Sequence, residues 1–231
     1  AGEDDVLRCV SCGYKANVER GTSELAVIVD ETGPEEPERI ATPGVRTIAG
    51  LEEIDGGAVA ENQIKTMVMV MDDEVTLALL RGDHQLNLQK LQDYSGAVDI
   101  RPAEPAEVVK KLGASPGSLG AVGVKSLKVI ADFALDGRTN MMTGANEDDW
   151  HLGGVSVHRD IQVDGWADLR EVQAGEPCVE CGETLEIVRC IEAGHIFKLG
   201  RKYADAMGIS VLDAEGRSQV PTMGSYGIGI G

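Results

Sequence analysis

Two Cys-x-x-Cys-Gly motifs constrain the fold of this chain more than any other feature. They are Cys9-Val-Ser-Cys12-Gly and Cys178-Val-Glu-Cys181-Gly, and 165 residues separate Cys12 from Cys178. Each motif directs two thiolates at one metal ion, and four thiolates complete a tetrahedral structural site of the kind that holds zinc. A simple zinc ribbon needs only about 15–20 residues between its pairs. The spacing therefore predicts a domain inserted between the two halves of one site.

The spacing alone leaves the state of the cysteines open. The four thiols could also be reduced and metal-free, in two separate turns. A disulfide framework is disfavoured, because Cys190 makes the count odd and we expect no signal peptide. Structural zinc bound by Cys9, Cys12, Cys178 and Cys181 is the prediction, and metal-free thiols are its alternative.

The charge balance limits the partners of this chain. It has 21 basic and 39 acidic residues, a net charge of −18, which repels polyanions at long range and argues against a general nucleic-acid coat. A mid-chain lysine cluster consists of Lys110, Lys111, Lys125 and Lys128. It could bind a polyanion locally, or it could be an ordinary solvent-exposed surface. No apolar run approaches the ~20 residues that span a bilayer. We therefore expect no membrane partner and a cytoplasmic location.

Apolar patterning and turn residues divide the chain into three parts. Residues 1–44 predict two short strands around the first cysteine pair and an acidic, solvated linker. Residues 45–165 predict one mixed sheet of about six strands with two or three helices, including a buried hairpin at 66–80. Residues 166–231 predict a strand, a loop at 192–199, a helix at 199–207, a hairpin and a glycine-alternating strand without a neighbour in this chain. The expected fold class is α/β or α+β.

Few residues suggest chemistry by their own pattern. No Ser-His-Asp arrangement, P-loop or Rossmann fingerprint is present. Lys65 and His151 each begin a predicted strand, and the loop at 113–124 has four glycines, which lets a ligand approach backbone N–H groups. With Asn146 and Asp132 they suggest a shallow pocket suited to hydrolysis of an acyl ester. The alternative is that Lys65 and His151 are ordinary surface residues.

Several longer runs add a resemblance to a known family. Residues 189–207 (RCIEAGHIFKLGRKYADAM) and residues 222–230 (TMGSYGIGI) resemble segments of bacterial-type prolyl-tRNA synthetases, the second at the start of class II motif 3. The runs TPGVRTI (42–48), LRGDHQLN (80–87), PGSLG (116–120) and GANEDD (144–149) resemble the editing insertion of that family, which is similar to free-standing YbaK-like deacylases. Two departures are Ala121, where the family has proline, and Cys190, where it usually has glycine.

The resemblance implies a function and its residues. The insertion, at residues 45–165, would hydrolyse alanine mischarged onto proline tRNA, with core segments at 1–44 and 166–231. We predict a catalytic set made of Lys65, His151 and the backbone of Gly117 and Gly120. The predicted substrate-binding set is Thr66, Ser118, Leu119, Asn146, His195 and Phe197, the last two near a prolyl pocket.

The resemblance also implies a longer enzyme. Such an enzyme would be a homodimer that uses ATP and Mg²⁺ to attach proline to tRNA(Pro). Motifs 1 and 2 would precede Ala1 and the ATP-binding arginine of motif 3 would follow Gly231, so we expect editing without aminoacylation from this chain. The alternative is a zinc-stapled tRNA-binding or interaction module without its own catalysis.

Overall fold

The structure, a computed structural model, describes residues 2–229. The chain forms two compact units. One runs from Leu7 to Glu186, and the other consists of the chain on either side of it. None of the described helices is long and apolar enough to cross a bilayer. The predicted domain boundaries at residues 44 and 165 stay a prediction.

Most of the regular structure is β. The described strands are β1 (Asp4–Cys9), β2 (Lys15–Asn17), β3 (Glu38–Ala41), β4 (Ile64–Met71), β5 (Glu74–Arg81), β6 (Ile100–Pro102), β7 (Lys128–Asp132), β8 (Met141–Gly144), β9 (Trp150–Val155), β10 (Gly165–Ala167), β11 (Leu185–Cys190), β12 (Gly194–Gly200), β13 (Val211–Leu212), β14 (Ser218–Gln219) and β15 (Met223–Ile228). The described α-helices are α1 (Ile48–Glu52), α2 (Leu88–Ser95), α3 (Pro105–Leu112), α4 (Val157–Asp160) and α5 (Lys202–Ala206). Single 3-10 turns lie at Ala60–Asn62 and Phe133–Leu135.

The hairpin of β4 and β5 is the centre of the larger sheet, whose strand order is β10-β7-β5-β4-β6. Strand β5 pairs in parallel with β7, and β4 pairs antiparallel with β5 and β6. Asp72 and Asp73 form the two-residue turn, with φ of 46° and 69°, the left-handed conformation that suits the twist of a tight hairpin. The hairpin prediction is confirmed.

Both faces of this hairpin are buried. Along β5, Leu77 and Leu79 belong to one core cluster, while Ala78 and Leu80 belong to another on the opposite face. Side chains alternate across a strand, so burial on both faces requires a continuous apolar run. The sequence VTLALL at 75–80 meets this requirement.

The predicted single sheet of about six strands is wrong, because the structure has two separate sheets here. Strands β3, β9 and β8 form the second sheet in that order. Strand β3 comes from the end of the predicted linker and pairs antiparallel with β9. Glu31, Glu35 and Glu36 are exposed as predicted, but Asp30 forms a buried ion pair with Arg138 at 2.7 Å. The linker is therefore held at both Asp30 and β3.

Local capping groups set the bounds of helices α1 and α3. The Thr47 hydroxyl accepts a hydrogen bond from Gly50 N at the start of α1. Glu104 and Glu107 form a capping box on α3, and Gly113 ends that helix with φ of 83°.

The smaller unit contains a two-stranded sheet that the sequence did not predict. Residues 194–200 form β12 instead of a loop, and β12 pairs antiparallel with β15. The prediction that the glycine-alternating strand at 226–231 lacks a neighbour is therefore wrong for residues 226–228, and residues 230–231 lie outside the described residues. Strands β13 and β14 form the predicted hairpin. A partial class II synthetase core stays a prediction.

Candidate functional site

A cavity of about 300 Å³ opens beside the start of β4. It brings together five predicted site residues from distant parts of the sequence: Lys65, Thr66, Gly117, Leu119 and His151. It is also lined by Arg46, Thr47, Ile48, Leu51, Gln63, Ile64, Met67, Pro116, Met142, Thr143 and Gly144. Its volume lies at the lower end of the range for small-molecule sites.

Close backbone packing holds the glycine loop of residues 113–124 at the wall of this cavity. A Cβ on Gly120 would lie 2.0 Å from the carbonyl oxygen of Gly144, and a Cβ on Gly144 would lie 2.2 Å from the carbonyl carbon of Ser118. Real Cβ atoms do not approach other atoms this closely, so both positions require glycine. The loop thus packs directly on β8.

The side chain of Asn146 fastens the same loop. Its Oδ1 accepts from Gly120 N at 2.9 Å, its Nδ2 donates to Gly120 O at 2.9 Å, and its own N–H donates to Ser118 O at 2.9 Å. The N–H of Gly120 is therefore already engaged, and Gly120, Ser118 and Asn146 lie behind the cavity wall. Gly117 lines the cavity, with φ of 107°.

His151 is a buried side chain on β9 that contacts Thr42 and, like Gly117, lines the cavity. Its Nδ1 lies 2.6 Å from the Thr42 hydroxyl. Burial lowers the pKa of His151, and a hydrogen bond with the Gly117 backbone opposes that shift. A backbone group that favours the protonated ring is an acceptor, so the carbonyl of Gly117 faces the His151 ring. The imidazole thereby connects β9 to the glycine loop.

Lys65 enters the cavity wall from β4, where it pairs with Leu80. Its Nζ donates to the carbonyl oxygen of His84 at 2.5 Å. Burial lowers the pKa of Lys65, while the carboxylate of Asp83 opposes that shift. Asp83 itself accepts two hydrogen bonds from Arg81, at 2.6 and 2.7 Å. The amine of Lys65 is thus held by a backbone carbonyl.

Arg46 adds a second cation to the cavity lining, and the sequence prediction gave it no role. Its guanidinium donates to Ser118 Oγ at 3.0 Å and forms ion pairs with Asp148 at 3.4 Å and Asp149 at 3.2 Å. The predictable signal was its place in the run TPGVRTI. Thr42 begins the same run but was given no role. Gln63 carried no readable signal, because its role depends on contacts with other segments.

Other predicted residues lie elsewhere. His195 and Phe197 are on β12 in the smaller unit, where their rings stack with centroids 3.9 Å apart. Asp132 accepts from the backbone N–H groups of Leu169 and Ala134 at 2.7 and 2.9 Å, which is a structural role. The four lysines of the mid-chain cluster are exposed and are not among the cavity-lining residues.

The two cysteine pairs meet in the larger unit. The Sγ atoms of Cys9, Cys12, Cys178 and Cys181 all lie within 4.8 Å of one another. The Sγ–Sγ distances are 3.5 Å for Cys9 and Cys181 and 3.7 Å for Cys12 and Cys178, far from the ~2.05 Å of a disulfide. Tetrahedral zinc with Zn–S bonds of about 2.3 Å places its sulfurs about 3.8 Å apart. The four thiols therefore fit a zinc ion.

Backbone hydrogen bonds close the two turns of this cluster, and its thiols differ in pKa: burial and the neighbouring thiols raise the pKa of Cys181 to about 12. The N–H of Gly13 donates to Cys9 O at 3.1 Å, and the N–H of Gly182 donates to Cys178 O at 2.8 Å, which closes the two turns. A backbone hydrogen bond from Cys12 is the main cause that lowers the pKa of the Cys9 thiol to about 7.

Comparison with known proteins identifies the region around the cavity. The profile of the aminoacyl-tRNA editing domain family matches residues 42–160. The chain is 49% identical to the proline–tRNA ligase of Anaeromyxobacter sp. (strain Fw109-5), 44% identical to that of Geotalea daltonii and 42% identical to that of Ligilactobacillus salivarius. These matches cover 99–100% of the chain, which spans 40% of the length of each of these curated relatives.

Solved structures show a similar fold. A proposed trans-editing enzyme for prolyl tRNA synthetase superposes with a TM-score of 0.50 at 23% identity, over 59% of this chain and 87% of that one. A hypothetical protein superposes with a TM-score of 0.50 at 21% identity, over 59% of this chain and 92% of that one. At these identities the likeness concerns the fold alone.

Proposed function

The chain belongs to the aminoacyl-tRNA editing domain family, and from this premise we propose that its cavity hydrolyses the ester bond of alanyl-tRNA(Pro). The observation that carries the proposal is the meeting of Lys65, Thr66, Gly117, Leu119 and His151 in one cavity of about 300 Å³. The acceptor end of tRNA(Pro) would bring the ester into this space.

An enzyme that attaches proline needs a second, editing site, because alanine is smaller than proline and also enters the proline pocket. A hydrophobic pocket gains only about 1–3 kcal/mol per methylene, so a site built for proline cannot strongly reject the smaller alanine. A small editing cavity that admits alanine and excludes proline would remove the error. Leu119 and Met142 narrow the cavity with apolar side chains, which suits a methyl side chain.

The reaction requires positioning and stabilisation of a developing oxyanion. The N–H of Gly117 is the backbone donor that we assign to the ester oxygen, because the N–H of Gly120 is engaged by Asn146. Lys65 and Arg46 supply positive charge for the phosphate and adenosine end. His151 faces the Gly117 loop. A water molecule attacks the carbonyl carbon, the bond from this carbon to the ribose oxygen breaks, and the proton lost by the water passes to that oxygen. The terminal ribose hydroxyl then leaves.

Deacylation of alanyl-tRNA(Pro) beside prolyl-tRNA(Pro) tests this function. We expect loss of alanine alone, with a rate reduced at least about tenfold in Lys65→Ala. Lys110→Ala, at an exposed lysine away from the cavity lining, is the matched control and should retain the full rate. Tight binding of tRNA(Pro) without turnover would instead identify a tRNA-binding module.

We also propose that the four clustered cysteines hold a structural Zn²⁺. The support is the fit of their Sγ–Sγ distances to tetrahedral thiolate coordination. The ion would fasten the turn after β1 to the turn before β11. Zinc content measured on the purified protein, with thiol titration before and after chelation, tests this assignment.

The longer enzyme implied by the relatives is a further proposal. It would be a cytoplasmic homodimer that ligates proline to tRNA(Pro) with ATP and Mg²⁺, and His195 and Phe197 would lie near its prolyl pocket. This chain spans 40% of such an enzyme. We expect no ATP–pyrophosphate exchange from it, and measurable exchange would contradict this expectation.

A further inference from the structure

Two residues of the cavity wall carry buried polar atoms that lack a hydrogen-bond partner among residues 2–229. They are Gln63 Oε1 and Thr66 Oγ1. Gln63 is only 1% exposed, so bulk water does not compensate its carbonyl oxygen. Buried polar atoms in folded proteins almost always have partners. Two unpaired atoms beside one cavity therefore point to a polar group of the ligand.

The orientation of the Gln63 amide is determined by its neighbours. Its Nε2 donates to the carbonyl oxygens of Ile48 at 3.0 Å and Ala58 at 2.6 Å. The reversed amide would place Oε1 against these two carbonyl oxygens, where no hydrogen bond can form. Oε1 is therefore the free atom, and it can only accept.

The chemistry of an aminoacyl ester decides which of its groups would meet these atoms. The ester carbonyl only accepts, so it cannot pair with Gln63 Oε1, and an alanine methyl group offers no hydrogen bond. The α-amino group offers N–H donors in both protonation states. With a pKa near ~8 it is partly charged around neutral pH, and uncharged acceptors such as Gln63 and Thr66 accommodate either form.

We propose that Gln63 Oε1 and Thr66 Oγ1 bind the α-amino group of the aminoacyl ester, so that the site selects esters with a free amine. This inference rests on the proposed deacylase function and adds Gln63 to its specificity-determining residues. It predicts that esters without the amine, or with an acylated amine, are poor substrates even when their side chain is as small as alanine.

The test compares three esters on the same tRNA: alanyl, N-acetylalanyl and propanoyl. Each enzymatic rate is divided by the spontaneous rate, which removes the effect of the amine on intrinsic ester lability. We expect the wild-type chain to favour the alanyl ester over the other two by about tenfold or more, the magnitude of one buried hydrogen bond to a ligand.

Two variants separate recognition from stability. Thr66→Val removes the hydroxyl with little change of shape and breaks no hydrogen bond of the described structure. Gln63→Met removes the acceptor, but it also removes the two hydrogen bonds from Nε2 to the carbonyl oxygens of Ile48 and Ala58. The matched control is Glu52→Ala. This variant loses the hydrogen bond that Glu52 accepts from Ala60 N at 2.6 Å, between α1 and the following 3-10 turn, and it leaves both acceptors in place.

The expected result is a smaller preference for the alanyl ester in Thr66→Val and Gln63→Met, with the preference retained in Glu52→Ala. Equal slowing of all three esters in both cavity variants would overturn the inference, because a purely structural role changes no ratio. Wild-type hydrolysis of the propanoyl ester as fast as the alanyl ester would also overturn it and leave the deacylase intact. Hydrolysis of no ester above the spontaneous rate would overturn the proposed function itself.

Discussion

The cavity and the cysteine cluster both bring distant segments together, but they do so with different chemistry. Around the cavity, Gly120 packs on Gly144 and the Asn146 amide hydrogen-bonds to the loop backbone, so protein groups hold one another. In the cluster, four thiols from two distant turns lie within 4.8 Å of one another. The glycine loop at the cavity wall is held by protein groups alone, whereas the four thiols of the cluster have the spacing of a metal site.

This difference indicates where each region is vulnerable. Removal of a metal should affect the cluster and leave the chemistry of the cavity unchanged, while an added methyl group on a packed glycine should do the reverse. Stability and deacylation, measured on the same variants, can therefore separate the two regions.

The largest expected effect is on the cluster. Cys12→Ser should remove the metal and lower the free energy of unfolding by about 4 kcal/mol or more, because structural zinc contributes its binding energy to folding. Calorimetry with and without a chelator, together with metal analysis, measures this. Cys190→Ser is the control, since Cys190 lies outside the cluster, and it should change neither quantity. A protein purified without metal and with four reactive thiols would contradict the assignment.

The next effect is on the cavity wall. Gly120→Ala should cost about 3 kcal/mol of unfolding free energy and abolish deacylation, because its Cβ would lie 2.0 Å from Gly144 O. Gly123→Ala is the matched substitution in the same loop, with φ of 73° and no atom within 4 Å of its Cβ. It should cost about 1 kcal/mol. If urea unfolding shows the same loss of stability for Gly120→Ala and Gly123→Ala, the close packing of Gly120 on Gly144 is not the cause of the loss.

The stability of the folded chain should depend on pH through His84, whose backbone carbonyl accepts the hydrogen bond from Lys65. Burial, followed by the charge of Arg81, lowers the pKa of His84 from 6.5 to about 4. The unfolded chain takes up a proton as the pH falls through 6.5, and the folded chain does so only near 4, so stability is complete above 6.5 and decreases below it. Between pH 7.5 and pH 5 the loss should be about 2 kcal/mol.

His84→Phe tests this assignment, because phenylalanine keeps a ring and does not titrate. Urea unfolding of both proteins at pH 7.5 and pH 5 gives the difference, which cancels contributions from other groups. A variant that loses as much stability as the wild type would place the pH dependence elsewhere.

The smallest effect concerns the support of His151. Thr42→Val removes the hydroxyl that contacts Nδ1 at 2.6 Å, and we expect a loss of about 1 kcal/mol with deacylation slowed several-fold. Thr42→Ser keeps the hydroxyl and should retain most of the rate. If both variants behave alike, the Thr42 methyl group and not its hydroxyl supports the ring.

Local chemistry made much of the fold predictable. The Asp72 and Asp73 turn, the Glu104 capping box and the Gly113 helix end each depend on residues within a few positions. The division into two sheets and the pairing of β12 with β15 depend on contacts far apart in sequence. The glycine-alternating strand was predicted without a neighbour, because its partner β12 was predicted to be a loop.

The candidate site divides in the same way. Lys65 and His151 could be proposed from residue type and position, and the glycines indicated a special loop. Gln63 could not, because its significance comes from two backbone carbonyls at Ile48 and Ala58 that fix its amide. Asn146 was expected to bind substrate in the pocket, but both polar atoms of its amide already form hydrogen bonds with the backbone of Gly120.

The meeting of Cys12 and Cys178 also has a consequence for the denatured chain. An ion that stays bound to both thiols, 3.7 Å apart, while the rest of the chain unfolds would close a loop of more than 160 residues and restrict every unfolded conformation of the sequence between them. By analogy with a disulfide that closes so long a loop, the lost chain entropy amounts to about 5 kcal/mol. The cluster would then stabilise the editing region from outside its core, without a single contact to the cavity.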